Sequence, residues 1–172
     1  MIVISDSTPL IHFASVNRLD MLRSMYGKVF ITETVHREVV IEGISLGKAD
    51  AFLIEKEIGN WIKIENPEGD AGEICNKYKI HIGEADSILL ARELNADLLL
   101  INERDGRQAA KSMGMNVKGT IGVIADCVRK QVLSAQEAVN ILIFFKNNPL
   151  DFWIDPEIIS MAIKRIKEKY HE

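Results

Sequence analysis

The chain has 172 residues, of which 47% are hydrophobic, and carries a formal net charge of −4. That length suits one domain over residues 1–172 with a real core, and no apolar run approaches the roughly 20 residues needed to cross a bilayer. The mild negative charge excludes a uniformly basic nucleic-acid binder, although local charge around a groove is a separate matter. Cys75 and Cys127 are too few, and wrongly spaced, for a disulfide framework or a zinc site, and they read as small buried hydrophobes. The first apolar run has no basic segment before it and is too short for a signal peptide, so a cytoplasmic protein is expected.

The elements alternate between strand and helix. "MIVI" is short, apolar and rich in β-branched residues, as a strand buried on both faces should be. Thr8 and Pro9 then suit a helix cap and a first helical position. "PLIHFASV" and "RLDMLRSMY" follow as helices, the second stopped by Gly27. "KVFIT" is a strand, Thr32 a cap and "ETVHREVV" a helix. "GISLGKADAFLIEKEIGN" is a turn and a helix ending at Gly59, and "WIKIE" alternates like a half-exposed strand. Helical patterns cover "AGEICNKY" and "EADSILLARELN" before the buried strand "DLLLI", the helix "GRQAAKSMG" and the short strand "NVKG". The remainder is helical: "TIGVIADCVRKQ", "SAQEAVNILIFFKNN" with a capping box between Ser134 and Glu137, and "PEIISMAIKRIKEKY" opened by Pro156. Such alternation predicts an α/β fold, a central parallel sheet of about four to five strands flanked by helices, with extra C-terminal helices. "IVIS" and "DLLLI" should be its central strands.

Asp6 stands where the first strand stops, in the crevice where open α/β sheets place ligands. A turn aspartate would look the same, so other acids must decide its role. Glu38 lies in the helix after the second strand, Glu84 and Asp86 open the helix before the second central strand, and Glu103 and Asp105 follow that strand. The C-terminal ends of central parallel strands share one edge, so Asp6 and Glu103 are brought close. Crowded carboxylates raise one another's pKa unless a cation compensates. A hard ion, Mg²⁺ or Mn²⁺, prefers such oxygen ligands, and two ions about 3.5–4 Å apart activate a water and stabilise a leaving oxygen. The pattern outlines a nuclease site.

The stretches "VISDSTPLIHFA", "ITETVHREVV", "GEADSILLARELNADLLLINERDGRQAAKSMGMNVKGTIGVI" and "DFWIDPEII" together resemble the PIN domain family. They are most similar to small prokaryotic PIN-like proteins with a GEA-acid-A pattern followed by DER-x-GR. The resemblance covers nearly the whole chain and is weakest over residues 41–72. It implies a VapC-like, metal-dependent ribonuclease that cleaves RNA, the toxin of a toxin–antitoxin pair. By position it makes Asp6, Glu38 and Asp86 the catalytic and metal-binding acids. Glu84 is two residues earlier, about 200° around a helix, so both serve one site only if Glu84 lies in an unwound start, and Asp86 ranks first and Glu84 second. The family's fourth acid falls at Asn102, which offers a carbonyl oxygen but no charge; either Glu103 or Asp105 substitutes, or the second metal is held loosely or only when RNA phosphate supplies ligands. Ser7, Thr8, Asn102, Arg104 and Arg107 are the candidates for contacting substrate, with Arg107 alternatively paired to Glu103 or Asp105. The implied partners are an RNA substrate, an antitoxin protein and a second copy of the chain.

His12, His36, His81 and His171 lack metal or catalytic spacing, and His12, in an apolar helix, reads as core. Arg104, Arg107, Lys111 and Lys118 form one basic group, and Lys164, Arg165, Lys167 and Lys169 another. Trp61, Phe144, Phe145, Phe152 and Trp153 suit packing before base stacking, with the "FF" and "DFW" stretches a candidate partner surface. A dehalogenase-type phosphatase would need an aspartate where Thr8 stands, and neither GxGxxG nor GxxxxGK[ST] occurs. The remaining alternative is a PIN-like module that binds RNA or protein without turnover.

Overall fold

Five short parallel strands form the sheet, and the apolar runs among them are the ones buried at its centre. A computed structural model describes residues 1–170; His171 lies outside them. The strands are β1 (Val3–Ser5), β2 (Val29–Ile31), β3 (Ile62–Ile64), β4 (Leu98–Leu100) and β5 (Val117–Lys118), in the order β3-β2-β1-β4-β5. β1 and β4, the two continuously apolar runs, lie side by side and buried at the sheet centre, paired Val3 to Leu98, Ile4 to Leu99 and Ser5 to Leu100. The chain winds outward from β1 to β3 on one side and from β4 to β5 on the other. The topological switch therefore falls between β1 and β4, where α/β sheets open a crevice beyond their strand ends.

The helices between strands are α1 (Ser7–Ser15), α2 (Leu19–Tyr26), α3 (Glu33–His36), α4 (Gly43–Ser45), α5 (Ala49–Glu55), α6 (Gly72–Tyr78), α7 (Ile82–Glu93) and α8 (Arg104–Ser112). Between α3 and α4 the backbone continues through a π-helical segment, Arg37–Glu42, where a regular helix is the expectation. Thr32 caps α3 as expected, accepting from the Val35 N–H. At α1 the expectation needs correcting. The helix starts at Ser7 with Asp6 as its N-cap, and the Asp6 side chain makes no capping bond. Thr8 therefore sits inside the first turn, its hydroxyl free to bond elsewhere, and Pro9 still falls where a missing N–H costs nothing.

By its internal contacts the chain divides into two compact units, Met1–Thr120 and the residues from Ile121 onward. The first holds the sheet and its flanking helices, with Ile88, Leu89, Leu90, Leu99 and Ile101 among its buried side chains. In the second, α9 (Thr120–Arg129, its first residue counted in the first unit), α10 (Ala135–Asn147), α11 (Pro149–Phe152) and α12 (Pro156–Tyr170) follow one another. Ser134 and Glu137 form the expected capping box, and the rings of Phe145 and Phe152 pack 4.3 Å apart. Phe144 and Trp153 are exposed, whereas Trp61, in the first unit, is buried. Neither Cys75 nor Cys127 forms a disulfide among the described residues. No helix among the described residues is long and apolar enough to cross a membrane.

Candidate active site

The β1–β4 pairing sets the site. The Asp6 N–H donates to the Leu100 carbonyl at 2.9 Å, which fixes Asp6 at the carboxyl edge of the sheet. Glu103 lies three residues beyond β4 on the same edge. Glu38 comes from the π-helical segment and Glu84 from the first turn of α7. Asp6, Glu38, Glu42, Glu84 and Glu103 all line a cleft of about 510 Å³, together with Ser7, Thr8, Thr34, Arg37 and His81.

Three of these carboxylates share one arrangement, an oxygen tethered by a donor and a second directed elsewhere. Ser7 Oγ donates to Glu38 Oε2 at 2.7 Å, and Thr8 Oγ1 donates to Glu103 Oε1 at 2.6 Å. The His81 backbone N–H donates to Glu84 Oε2 at 3.0 Å, the capping-box half that ties the first turn of α7. The other oxygens of Glu84 and Glu103, Oε1 and Oε2 respectively, are buried and bonded to nothing. A buried carboxylate oxygen without a partner is costly. Ser87 Oγ approaches Asp6 Oδ1 at 3.4 Å, a long contact for a hydroxyl donor.

Asp6 is 4% exposed. Burial raises its carboxyl well above the ordinary range, Glu103, Glu84 and Glu38 add to the rise, and the Ser7 N–H opposes it. Burial also raises Glu84, against the pull of the His81 N–H, with Glu103 reinforcing the rise. Both shifts record negative charge crowded into a place with too little water. An all-carboxylate oxygen set with two unsatisfied buried atoms fits a hard divalent cation. Among the described residues, however, no three His, Cys, Asp or Glu side chains are drawn tightly enough together to hold one as they stand.

Asp86 is placed differently. It accepts a bond from Thr34 Oγ1 at 2.6 Å, joining α7 to α3, and is not among the residues lining the cleft. Because α7 begins at Ile82, Glu84 occupies its third position and points to the sheet edge, while Asp86 lies about 200° further round. Of the two acids, it is Glu84 that lines the cleft with Asp6. Asp105 and Arg104 are exposed at the start of α8 and do not line the cleft. Asn102 is committed elsewhere. Its Oδ1 accepts from the Thr120 N–H at 2.8 Å, and its Nδ2 lies 3.0 Å from Thr120 Oγ1 and 3.2 Å from Nδ1 of buried His12. Arg107 packs toward Gly119, where a side chain would meet its Nη1 at 2.8 Å, and no ion pair joins it to Glu103 or Asp105 among the described residues. The sequence reading missed Arg37 and Glu42 and gave His81 no role. Their only signal was the acid-flanked stretch "HREVVIEG", whose register depends on a turn that periodicity does not reveal.

A family model described as DUF3368, PIN domain, matches residues 2–168. No curated protein matches the chain.

Proposed function

The chain belongs to the PIN-domain family, whose members are typically nucleases that use divalent metals, and from that premise we propose that it hydrolyses RNA phosphodiesters with Mg²⁺ or Mn²⁺. The observation that carries this reading is the pair of buried, unbonded oxygens, Glu84 Oε1 and Glu103 Oε2, in the cleft that also holds Asp6. Asp6, Glu38, Glu84 and Glu103 are the residues that would hold the metal. When bound, a divalent ion supplies Lewis-acid stabilisation of the phosphodiester and lowers the pKa of attacking water. The protein's own part is positioning. Ser7, Thr8 and the His81 N–H each fix one oxygen of a carboxylate, as outer-shell donors do in metal sites. Glu103, held by Thr8, supplies the charge that Asn102 lacks. A toxin role, an antitoxin covering the cleft and a homodimer follow from the family resemblance, and with the cytoplasmic setting expected from the sequence they complete the proposal.

The test is cleavage of single-stranded RNA in Mg²⁺ or Mn²⁺. Activity should vanish with EDTA and in Asp6→Ala and Glu38→Ala proteins; activity that persists in either variant overturns the mechanism. A second reading, a module that binds RNA or protein without turnover, draws on the loose spacing of the acids and the commitment of Asn102 to Thr120. It requires RNA binding that survives chelation, with no cleavage under any metal.

A further inference from the structure

One cation sits among the acids of the cleft. Arg37 lines the same space as Asp6, Glu38, Glu42, Glu84 and Glu103. It is exposed, and no hydrogen bond or ion pair joins its guanidinium to another side chain among the described residues. An arginine facing five carboxylates without pairing to any keeps its whole donor fork available. Its backbone setting is also unusual. Arg37 opens the π-helical segment Arg37–Glu42, and the widened turn sends Arg37, Glu38 and Glu42 to one cleft. On a regular helix Arg37 and Glu42, five residues apart, would diverge by about 140°. Single π turns of this kind recur at functional sites.

A polyanion entering a cleft lined by carboxylates is repelled. A planar guanidinium presents five N–H donors and binds a phosphate by two parallel bonds, which a carboxylate-lined wall cannot do. We propose that Arg37 grips a backbone phosphate of the RNA at the cleft, a binding contact that does not depend on metal. The inference rests on the RNA-cleaving reading for its substrate and goes beyond it in assigning substrate binding to a residue outside the acid set.

The experiment is fluorescence anisotropy of a short labelled single-stranded RNA with the full chain in EDTA, over a series of salt concentrations. Arg37→Ala should bind about tenfold more weakly, the loss expected for a charge-assisted bond. It should also lower the slope of log K against log salt by about 0.7, one phosphate contact on a single strand. Arg37→Lys should keep the slope and bind with intermediate strength. Lys56→Ala, which removes one exposed charge away from the cleft, controls for net charge and should match the wild type. Equal binding by wild type and Arg37→Ala, an unchanged slope, or an equal loss in Lys56→Ala overturns the proposal, as does a wild type that binds no RNA. Cleavage in Mn²⁺ is scored separately. Arg37-dependent binding without cleavage sinks the nuclease reading alone, and cleavage with Arg37-independent binding sinks this one alone.

Discussion

Asp6 is held against its own interest. It is buried beside Glu103, Glu84 and Glu38 with one long hydroxyl contact, so its ionised form costs stability that the fold must supply elsewhere. Removing the charge while keeping the shape should therefore stabilise the metal-free protein. Asp6→Asn is expected to raise the melting temperature by a few degrees, at about 2–4 °C per kcal/mol for a chain of this size, and to abolish cleavage. A lowered melting temperature would show the acid to be structural. The two acids of α7 separate in the same way. Glu84→Gln leaves an uncharged group at the buried oxygen and should cut cleavage at least a hundredfold. Asp86→Asn keeps an oxygen that accepts from Thr34 and should change cleavage only a few-fold. Equal losses would restore Asp86 to the site. Asp6 was legible from its place at the end of an apolar run, and Glu38 and Glu103 from following β2 and β4. The choice between Glu84 and Asp86 was not, because it turns on where α7 starts, and two residues there rotate the face by about 200°.

At the scale of elements, the cleft depends on how closely neighbouring helices approach. A side chain at Gly106 would place its Cβ 2.5 Å from Glu84 Oε1 and 2.6 Å from Ile101 Cδ1. Only a bare Cα lets α8 lie against that carboxylate. Gly106→Ala is expected to destabilise the protein by about 1–3 kcal/mol through overpacking and to displace Glu84, which chemical denaturation and a cleavage assay would register together. An unchanged denaturation midpoint would mean that α8 moves aside freely. Gly43 does the same for α4 and α5, with Ala51 Cβ 2.6 Å from the place its own Cβ would take. The strands were legible because "VIS" and "LLL" are unbroken apolar runs, and their adjacency follows from burial on both faces. The segment after α3 was not fully legible. "REVVIE" has an ordinary helical pattern, and nothing in hydrophobic spacing announces an i→i+5 turn, so the faces of Arg37 and Glu42 stayed hidden.

Over the whole molecule the net charge is only −4, but five carboxylates line one cleft with a single arginine, so the electrostatics of the fold are concentrated there. The linkage has a definite sign. The carboxyls of Asp6 and Glu84 are raised in the folded protein, so across the interval from the ordinary carboxylate range up to their raised values the folded state holds protons that the unfolded chain has released. Stability then falls as pH climbs through that interval, opposite to the usual behaviour of salt-bridged acids. Their contribution is greatest below the ordinary range and is lost once both have ionised. A divalent cation needs the carboxylates ionised, so its stabilising effect should grow with pH over the same interval. Melting temperatures of the wild type and of an Asp6→Asn/Glu84→Gln variant, taken in EDTA from about pH 4 to pH 7, isolate these two groups from the other titrating residues. The wild type should lose ground to the variant as pH rises, and Mn²⁺ should restore it in the wild type alone. A difference between the two proteins that stays flat with pH, or an equal response to Mn²⁺, would mean that the acids of this cleft are not crowded enough to require a cation.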